Sequence, residues 1–123
     1  TMESDRFTLF VEEALGEVPE AFLERLDNVE IVVEDWPDRE TLRLAGAHSR
    51  YELLGFYHGV PLTARTGSYG LVSPDKISIY RRPIELQCAT EQELKATITR
   101  VVQHELAHYF GIDDDRLHEI GAY

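Results

Sequence analysis

TEQELKATITRVVQHELAHYFG, residues 90–111, is the stretch that decides the fold. Thr90 and Glu93 form a capping box, a pattern that marks the first turn of a helix. Three apolar side chains then recur at helical spacing and indicate its buried face: Leu94, Ile98 and Val101. Gly111 can adopt the left-handed conformation in which many helices end. We therefore predict one helix of about 20 residues, or about 30 Å.

His104-Glu105-Leu106-Ala107-His108 forms an H-E-x-x-H motif inside this helix. Side chains four residues apart lie on one helix face, with Cβ atoms about 5–6 Å apart. Both imidazoles can therefore point a nitrogen at one zinc ion about 2.0–2.1 Å away. Glu105 is rotated by about 100° from His104, which suits a base that takes a proton from water rather than a third ligand. A shuffled chain of this composition would contain the motif about 0.02 times.

A third ligand has to come from beyond the helix, because a catalytic zinc site has three protein ligands and one open position. Gly111 lets the chain reverse direction, and Asp114 follows it to give H-E-x-x-H-x-x-G-x-x-D. A short carboxylate after a tight turn can reach back to the ion, so we predict Asp114 as the third ligand. His118 and Glu119 remain alternatives.

The rest of the chain predicts an α+β fold with short strands. At the N-terminus, an apolar stripe marks a helix that Ser4 can cap: Phe7, Phe10, Val11, Ala14 and Leu15. Pro19 suits the first turn of a second short helix. Strands are predicted at residues 29–33, 53–58 and 76–80, and further short helices at residues 39–44 and from residue 113 onward. Pro83 cannot donate to a sheet, so strand pairing should stop near it.

The composition excludes several classes of partner. The 23 acidic and 12 basic side chains give a net charge of −11, a field that repels nucleic acid and anionic membranes. No stretch approaches the ~20 apolar residues that span a bilayer. The start, TMESDRFTLF, lacks the features of a signal peptide, and the one cysteine, Cys88, cannot form an internal disulfide. We therefore expect a cytoplasmic protein in which residues 1–123 form a single domain.

Five residues resemble the metal motif of the zincins: His104, Glu105, His108, Gly111 and Asp114. The runs HELAHYFGIDDDRLHEIG, LLGFYHGVPLT and ISIYRRPIE are similar to a family of small bacterial zincin-like metallopeptidases with a minimal zincin fold. The resemblance implies a small mixed sheet of about three to four strands packed on the motif helix, with N-terminal and C-terminal helices. It also implies that His104, His108 and Asp114 bind zinc and that Glu105 is the general base.

The leading functional interpretation is a zinc-dependent metallopeptidase. The alternative is a non-catalytic zincin-fold module that binds a peptide or partner, with a structural or vacant metal site. A zinc hydrolase of non-peptide amides would use the same residues. Candidate donors to the oxyanion of a peptidase reaction are Tyr69, Tyr80, Tyr109, Tyr123 and His118. The strand Ile77-Ser78-Ile79-Tyr80 is the candidate edge along which a peptide or unfolded-protein substrate pairs by strand addition.

Overall fold

The computed structural model describes residues 2–26, 29–59 and 75–111, with side chains from residue 5 onward. Within these ranges the chain forms α1 (Met2–Gly16), α2 (Glu20–Leu23), β1 (Val29–Glu34), α3 (Arg39–Ala45), β2 (Gly55–His58), β3 (Asp75–Tyr80), α4 (Arg81–Gln87) and α5 (Glu91–Tyr109). The predicted α+β class is confirmed. The helix predicted from residue 113 lies outside the described residues. None of the helices among the described residues combines the length and the apolar composition that a bilayer-spanning helix needs.

The three strands form one mixed sheet in the order β1-β3-β2. β1 runs parallel to β3, with Ile31 opposite Ile77. β2 runs antiparallel to β3, with Gly55 opposite Ile79 and Tyr57 opposite Ile77. Because side chains alternate between the faces of a strand, these five residues lie on one face of the sheet. That face packs against α5.

The prediction that residues 77–80 form an edge strand is wrong. β3 is the central strand and pairs with a neighbour on each side. The alternation of polar and apolar residues suggested that one face of the strand is exposed to solvent. Every side chain from Ile77 to Tyr80 is nevertheless at most 1% exposed. Ser78 tolerates burial because its hydroxyl donates a hydrogen bond of 3.0 Å to Glu34 Oε1. In a sequence, a short polar residue that is buried with a hydrogen-bond partner on the next strand cannot be told apart from one that faces solvent.

The core lies between the sheet and helices α1, α4 and α5. α1 contributes its predicted stripe, of which Phe7, Phe10, Val11 and Ala14 are buried. α5 contacts α1, β2 and β3. Its buried apolar side chains join Ile77, Ile79 and Ile84 in one cluster. The helix α1 begins at Met2 rather than after Ser4, so Ser4 lies inside the helix instead of capping it.

α4 was not predicted, because Arg81-Arg82-Pro83 suggested only the end of a strand. Pairing does stop at Tyr80, as Pro83 indicated, but the chain turns directly into a helix. Pro83 lies in its first turn, where a backbone N–H has no helical partner to lose. Arg81 donates to Asp35 Oδ1 at 2.9 Å and to Glu85 Oε1 at 3.0 Å, which ties the new helix to the end of β1.

Candidate metal centre

The H-E-x-x-H motif occupies the last turns of α5. Residues next to each end of this helix determine where it begins and where it ends. At the first end, Thr90 Oγ1 accepts a hydrogen bond of 3.1 Å from the Glu93 backbone N–H. The Glu93 carboxylate accepts one of 2.8 Å from Ala89 N–H, one residue before the predicted partner. At the other end, Gly111 has φ 87°, the left-handed conformation expected of it. Both ends favour the helical geometry that the motif requires.

Glu105 is a buried carboxylate on the core-facing stripe of α5. The apolar members of this stripe are Ile98, Val101, Val102, Leu106 and Tyr109. Glu105 takes a position among them with 6% of its surface exposed. A carboxylate removed from water is destabilising unless it has a polar partner. His108 Nδ1 lies 3.3 Å from Glu105 Oε1 and supplies such a partner. A chemical role therefore explains the buried carboxylate of Glu105 better than packing in the core does.

The three polar side chains of the motif converge on one point. One potential ligand atom from each of His104, Glu105 and His108 lies within 4.8 Å of the other two. The rings of His104 and His108 have centroids 4.4 Å apart and are inclined at 68°. Imidazole nitrogens and carboxylate oxygens are ligands that zinc accepts in proteins. The donor set of this cluster therefore fits a zinc ion.

β2 lies against α5 at the motif, and Gly55 permits this contact. A Cβ placed on Gly55 would lie 2.8 Å from Val101 Cγ1, 3.1 Å from the Ser78 carbonyl oxygen and 3.2 Å from Glu105 Cγ. All three distances are shorter than ordinary van der Waals contact. Only a residue without a side chain lets the strand approach the helix this closely. β2 therefore forms one wall of the centre.

Tyr57 extends the contact between β2 and α5. Its ring packs edge-on against Tyr109, the residue after His108, with centroids 5.8 Å apart. Its hydroxyl donates a hydrogen bond of 2.5 Å to Asp75, which is only 2% exposed. Asp75 is the first residue of β3. The hydrogen bond therefore joins β2 to β3, and the ring contact with Tyr109 joins β2 to the end of α5.

His58 lies on the opposite face of the sheet from the centre. Tyr57 faces α5, so the next side chain along the strand points the other way. The His58 ring packs edge-on against Phe56 with centroids 4.7 Å apart, and its Nε2 lies 3.5 Å from Ser78 Oγ. Burial, helped by the charge of Lys76, lowers the pKa of His58 below its ordinary value of 6.5. His58 is therefore a mainly neutral packing residue rather than a metal ligand.

Two of the candidate oxyanion donors are core residues. Tyr80 is 1% exposed and Tyr109 is 0% exposed. Tyr80 also lies on the face of the sheet away from α5, where burial raises its pKa. Both side chains are therefore explained by packing. The remaining predicted site residues lie outside the described part of the chain: Tyr69, Asp114, His118, Glu119 and Tyr123.

Sequence reasoning missed Gly55 and Tyr57 as parts of the centre. A signal was present, because a glycine inside a strand pattern often marks a close backbone approach. That signal does not reveal which element approaches. Gly55 and Glu105 are far apart in the chain, and only the packing of β2 on α5 brings them together.

A family model described as zincin-like metallopeptidase matches residues 26–122. The matched region contains β1, β2, β3 and the whole of α5, so it includes every described residue of the centre. A search of the curated proteins finds no match.

Proposed function

Because the chain belongs to the zincin-like metallopeptidase family, we propose that it is a zinc-dependent peptidase. One observation carries this proposal: potential ligand atoms of His104, Glu105 and His108 lie within 4.8 Å of one another. A structural zinc site is closed by four ligands and has no need of a base beside the metal. A buried Glu105 next to two histidines therefore supports hydrolysis rather than a structural role.

His104 and His108 would hold the ion, and Asp114 is the proposed third protein ligand. Three protein ligands leave one position open, which is the arrangement typical of catalytic zinc. When bound, zinc supplies Lewis acidity, which polarises a carbonyl oxygen and makes water easier to deprotonate. His118 or Glu119 in place of Asp114 would leave this chemistry unchanged.

Glu105 moves the proton in the proposed reaction. Its carboxylate accepts a proton from the attacking water and returns it to the leaving amine. Its low exposure of 6% keeps bulk solvent away from the carboxylate. Electrostatic interactions at this position are consequently stronger than they would be in water. The 3.3 Å contact with His108 Nδ1 holds the carboxylate on the ligand side of the helix.

The proposed substrate is a peptide or an unfolded protein segment that lies along β2. Among the described residues, β2 is an outer strand of the sheet, whereas β3 is the central one. An extended peptide can add to an outer strand through backbone hydrogen bonds. Gly55 brings the same strand against Glu105. A peptide on β2 would therefore pass close to the proposed base.

The test measures zinc content and peptide cleavage on the same preparations. We expect one zinc per chain in the parent and in Glu105→Gln, and loss of zinc in His108→Ala. The parent should cleave members of a library of unstructured peptides. Glu105→Gln should lower kcat by about 100-fold or more, since it removes the base. The matched control is Glu91→Gln, the same change at the exposed first turn of α5, and it should behave like the parent.

Other outcomes would contradict or revise the proposal, including the result for a further variant, Asp114→Ala. A folded, zinc-loaded parent that cleaves no peptide would make the non-catalytic binding module the better explanation. Cleavage by Glu105→Gln at the parent's rate would remove Glu105 from the mechanism. Zinc retained in Asp114→Ala would move the third ligand to His118 or Glu119.

A further inference from the structure

Asp75 is a buried carboxylate that the proposed reaction does not use. Only 2% of its surface is exposed, and Glu105 is the one other buried acidic side chain among the described residues. Side chains alternate along a strand, so Asp75 points to the same face of β3 as Ile77, which is the face that packs on α5. A carboxylate loses its hydration when it is buried, and its contacts have to compensate for this loss. The contacts of Asp75 therefore indicate its role.

The end of β2 encloses this carboxylate from two sides. Tyr57 donates a hydrogen bond of 2.5 Å to Asp75 Oδ2. Gly59, the residue after β2, has φ 151°, and a Cβ placed on it would lie 2.5 Å from Asp75 Oδ1 and 2.8 Å from Oδ2. No side chain fits at these distances, so the backbone of Gly59 lies directly against the carboxylate. Asp75 therefore joins the end of β2 to the start of β3.

β2 contacts α5 on both sides of His108 in the chain. Gly55 lies against Glu105, which precedes His108. Tyr57 packs edge-on against Tyr109, which follows His108. Glu105 and Tyr109 are four residues apart and therefore lie on one face of the helix. Tyr57 consequently connects the start of β3 to the helical turn that carries His108.

Stability alone does not explain why Tyr57 and Asp75 form a polar pair. Replacing both partners of a buried hydrogen bond by apolar groups of the same shape is often neutral for stability. An apolar pair would therefore serve the core equally well. The hydrogen bond adds direction, because an O–H···O bond of this length holds the hydroxyl end of the phenol in one place. A phenylalanine at residue 57 would keep the ring but lose this restraint.

We propose that Asp75 is a positioning residue for the metal centre, acting through Tyr57 on the turn of α5 that carries His108. The proposal rests on the metal site of the proposed function, and not on the cleavage of any peptide. The convergent cluster consists of His104, Glu105 and His108, so Asp75 and Tyr57 act on its geometry rather than as ligands. Partners that hydrogen-bond a ligand directly change metal affinity by about 10- to 100-fold. Because Tyr57 acts through the residue next to His108, we expect an effect of about 10-fold, at the lower end of this range.

The test titrates the zinc-free protein with Co²⁺, which binds nitrogen and oxygen ligands and reports their geometry through its visible absorption. Tyr57→Phe removes the hydroxyl and keeps the ring. The matched control is Tyr80→Phe, because the Tyr80 hydroxyl is hydrogen-bonded to Ser78 and Thr41 on the face of the sheet away from α5. We expect Tyr57→Phe to raise the Kd for Co²⁺ by about 10-fold and to change the absorption bands. Tyr80→Phe should lower the urea midpoint comparably and leave the Kd and the bands unchanged.

Two substitutions of Asp75 test the other partner. Asp75→Asn keeps an oxygen that can accept the bond from Tyr57, so it should retain most of the affinity for Co²⁺. Asp75→Ala removes the acceptor and should weaken binding as Tyr57→Phe does. The double variant Tyr57→Phe/Asp75→Ala should bind Co²⁺ no more weakly than Asp75→Ala, because substitutions of two partners in one contact are not additive. Circular dichroism checks that each protein is folded, and if Asp75→Ala is not, Tyr57→Phe and Asp75→Asn decide.

The outcomes separate this proposal from the peptidase function. A parent that binds Co²⁺ and responds to Tyr57→Phe but cleaves no peptide would reject the peptidase and keep the positioning role. Equal Kd values and equal spectra of the parent and Tyr57→Phe would overturn the positioning role, even if the parent cleaves peptides. An equal change in Tyr80→Phe would also overturn it, because a loss of stability would then explain the effect. A parent that binds no Co²⁺ would overturn the metal site and the positioning role together.

Discussion

At the scale of single residues, Gly55 shows how one missing side chain positions a catalytic group. Its Cα faces Val101 and Glu105 at distances that leave no room for a methyl group. The residue therefore acts on the proposed reaction through the placement of Glu105. Its φ angle is not in the left-handed region, so lack of space explains the glycine better than backbone conformation does.

Gly55→Ala should reduce both stability and activity. The added methyl group overfills the contact between β2 and α5, and overpacking of this kind costs about 1–3 kcal/mol. The strand or the Glu105 side chain has to move, so kcat should fall even in the folded variant. Urea unfolding monitored by circular dichroism measures the first effect, and peptide cleavage at low denaturant measures the second.

Gly16→Ala is the control for this substitution. Gly16 ends α1, and a Cβ placed there meets no atom within 4 Å. The change should be neutral or should raise the free energy of unfolding by up to about 1 kcal/mol, as expected for Gly to Ala in a helix. Equal effects of the two substitutions would show that the crowding at Gly55 has no energetic consequence.

Single residues also show which contacts could be predicted from the sequence and which could not. His104, Glu105 and His108 lie in one helical turn, so local spacing alone brings them together. The contact of Gly55 with Glu105 and the packing of Tyr57 on Tyr109 depend on how separate elements pack. No local pattern contains that information. The clustering of the three motif side chains was therefore predictable, and the walls around them were not.

At the scale of secondary structure, helices with caps were predicted better than the order of the strands. α5 was identified with nearly correct ends, because the Thr90 cap and Gly111 are local signals. The strand β3 was located correctly, but its place in the sheet was misassigned. Strand order depends on pairing between distant segments, and the buried polar Ser78 concealed that both edges of β3 are occupied.

The cap of α5 gives a prediction about an element as a whole. Thr90→Ala removes the side-chain acceptor of the 3.1 Å bond from Glu93 N–H. Loss of such a cap costs about 1 kcal/mol. The motif begins 14 residues later, or about 21 Å along the helix. We expect a lower free energy of unfolding with an unchanged zinc content and an unchanged kcat at 25 °C.

Thr90→Ser is the matched variant, because it keeps the hydroxyl that accepts the bond. It should recover most of the stability, as Ser is at least as good a cap as Thr. Unfolding curves of the three proteins in urea measure the difference. A Thr90→Ala protein that loses zinc or activity while still folded would mean that the two ends of α5 are coupled more tightly than a simple cap allows.

At the scale of the whole molecule, the core and the proposed metal site share the helix α5, and Glu105 lies on the same core-facing stripe as the buried apolar side chains. The buried cluster joins α1, β3, α4 and the apolar stripe of α5. His104 and His108 are only partly buried and lie at the edge of this cluster. The described core is therefore held by packing that needs no ion, unlike small zinc domains that fold only with metal.

Removal of zinc should consequently inactivate the protein without unfolding it. After treatment with EDTA we expect the helical circular dichroism signal to persist at 25 °C, and peptide cleavage to stop. Added zinc should raise the Tm of the parent, because a ligand that binds only the native state stabilises it, by about 2.7 kcal/mol at 100 times Kd. His108→Ala, which lacks one of the two imidazoles, should remain folded but show no rise in Tm. Complete unfolding of the parent by EDTA would contradict this account, since it would mean that the metal rather than the packing of α1, α5 and the sheet sustains the fold.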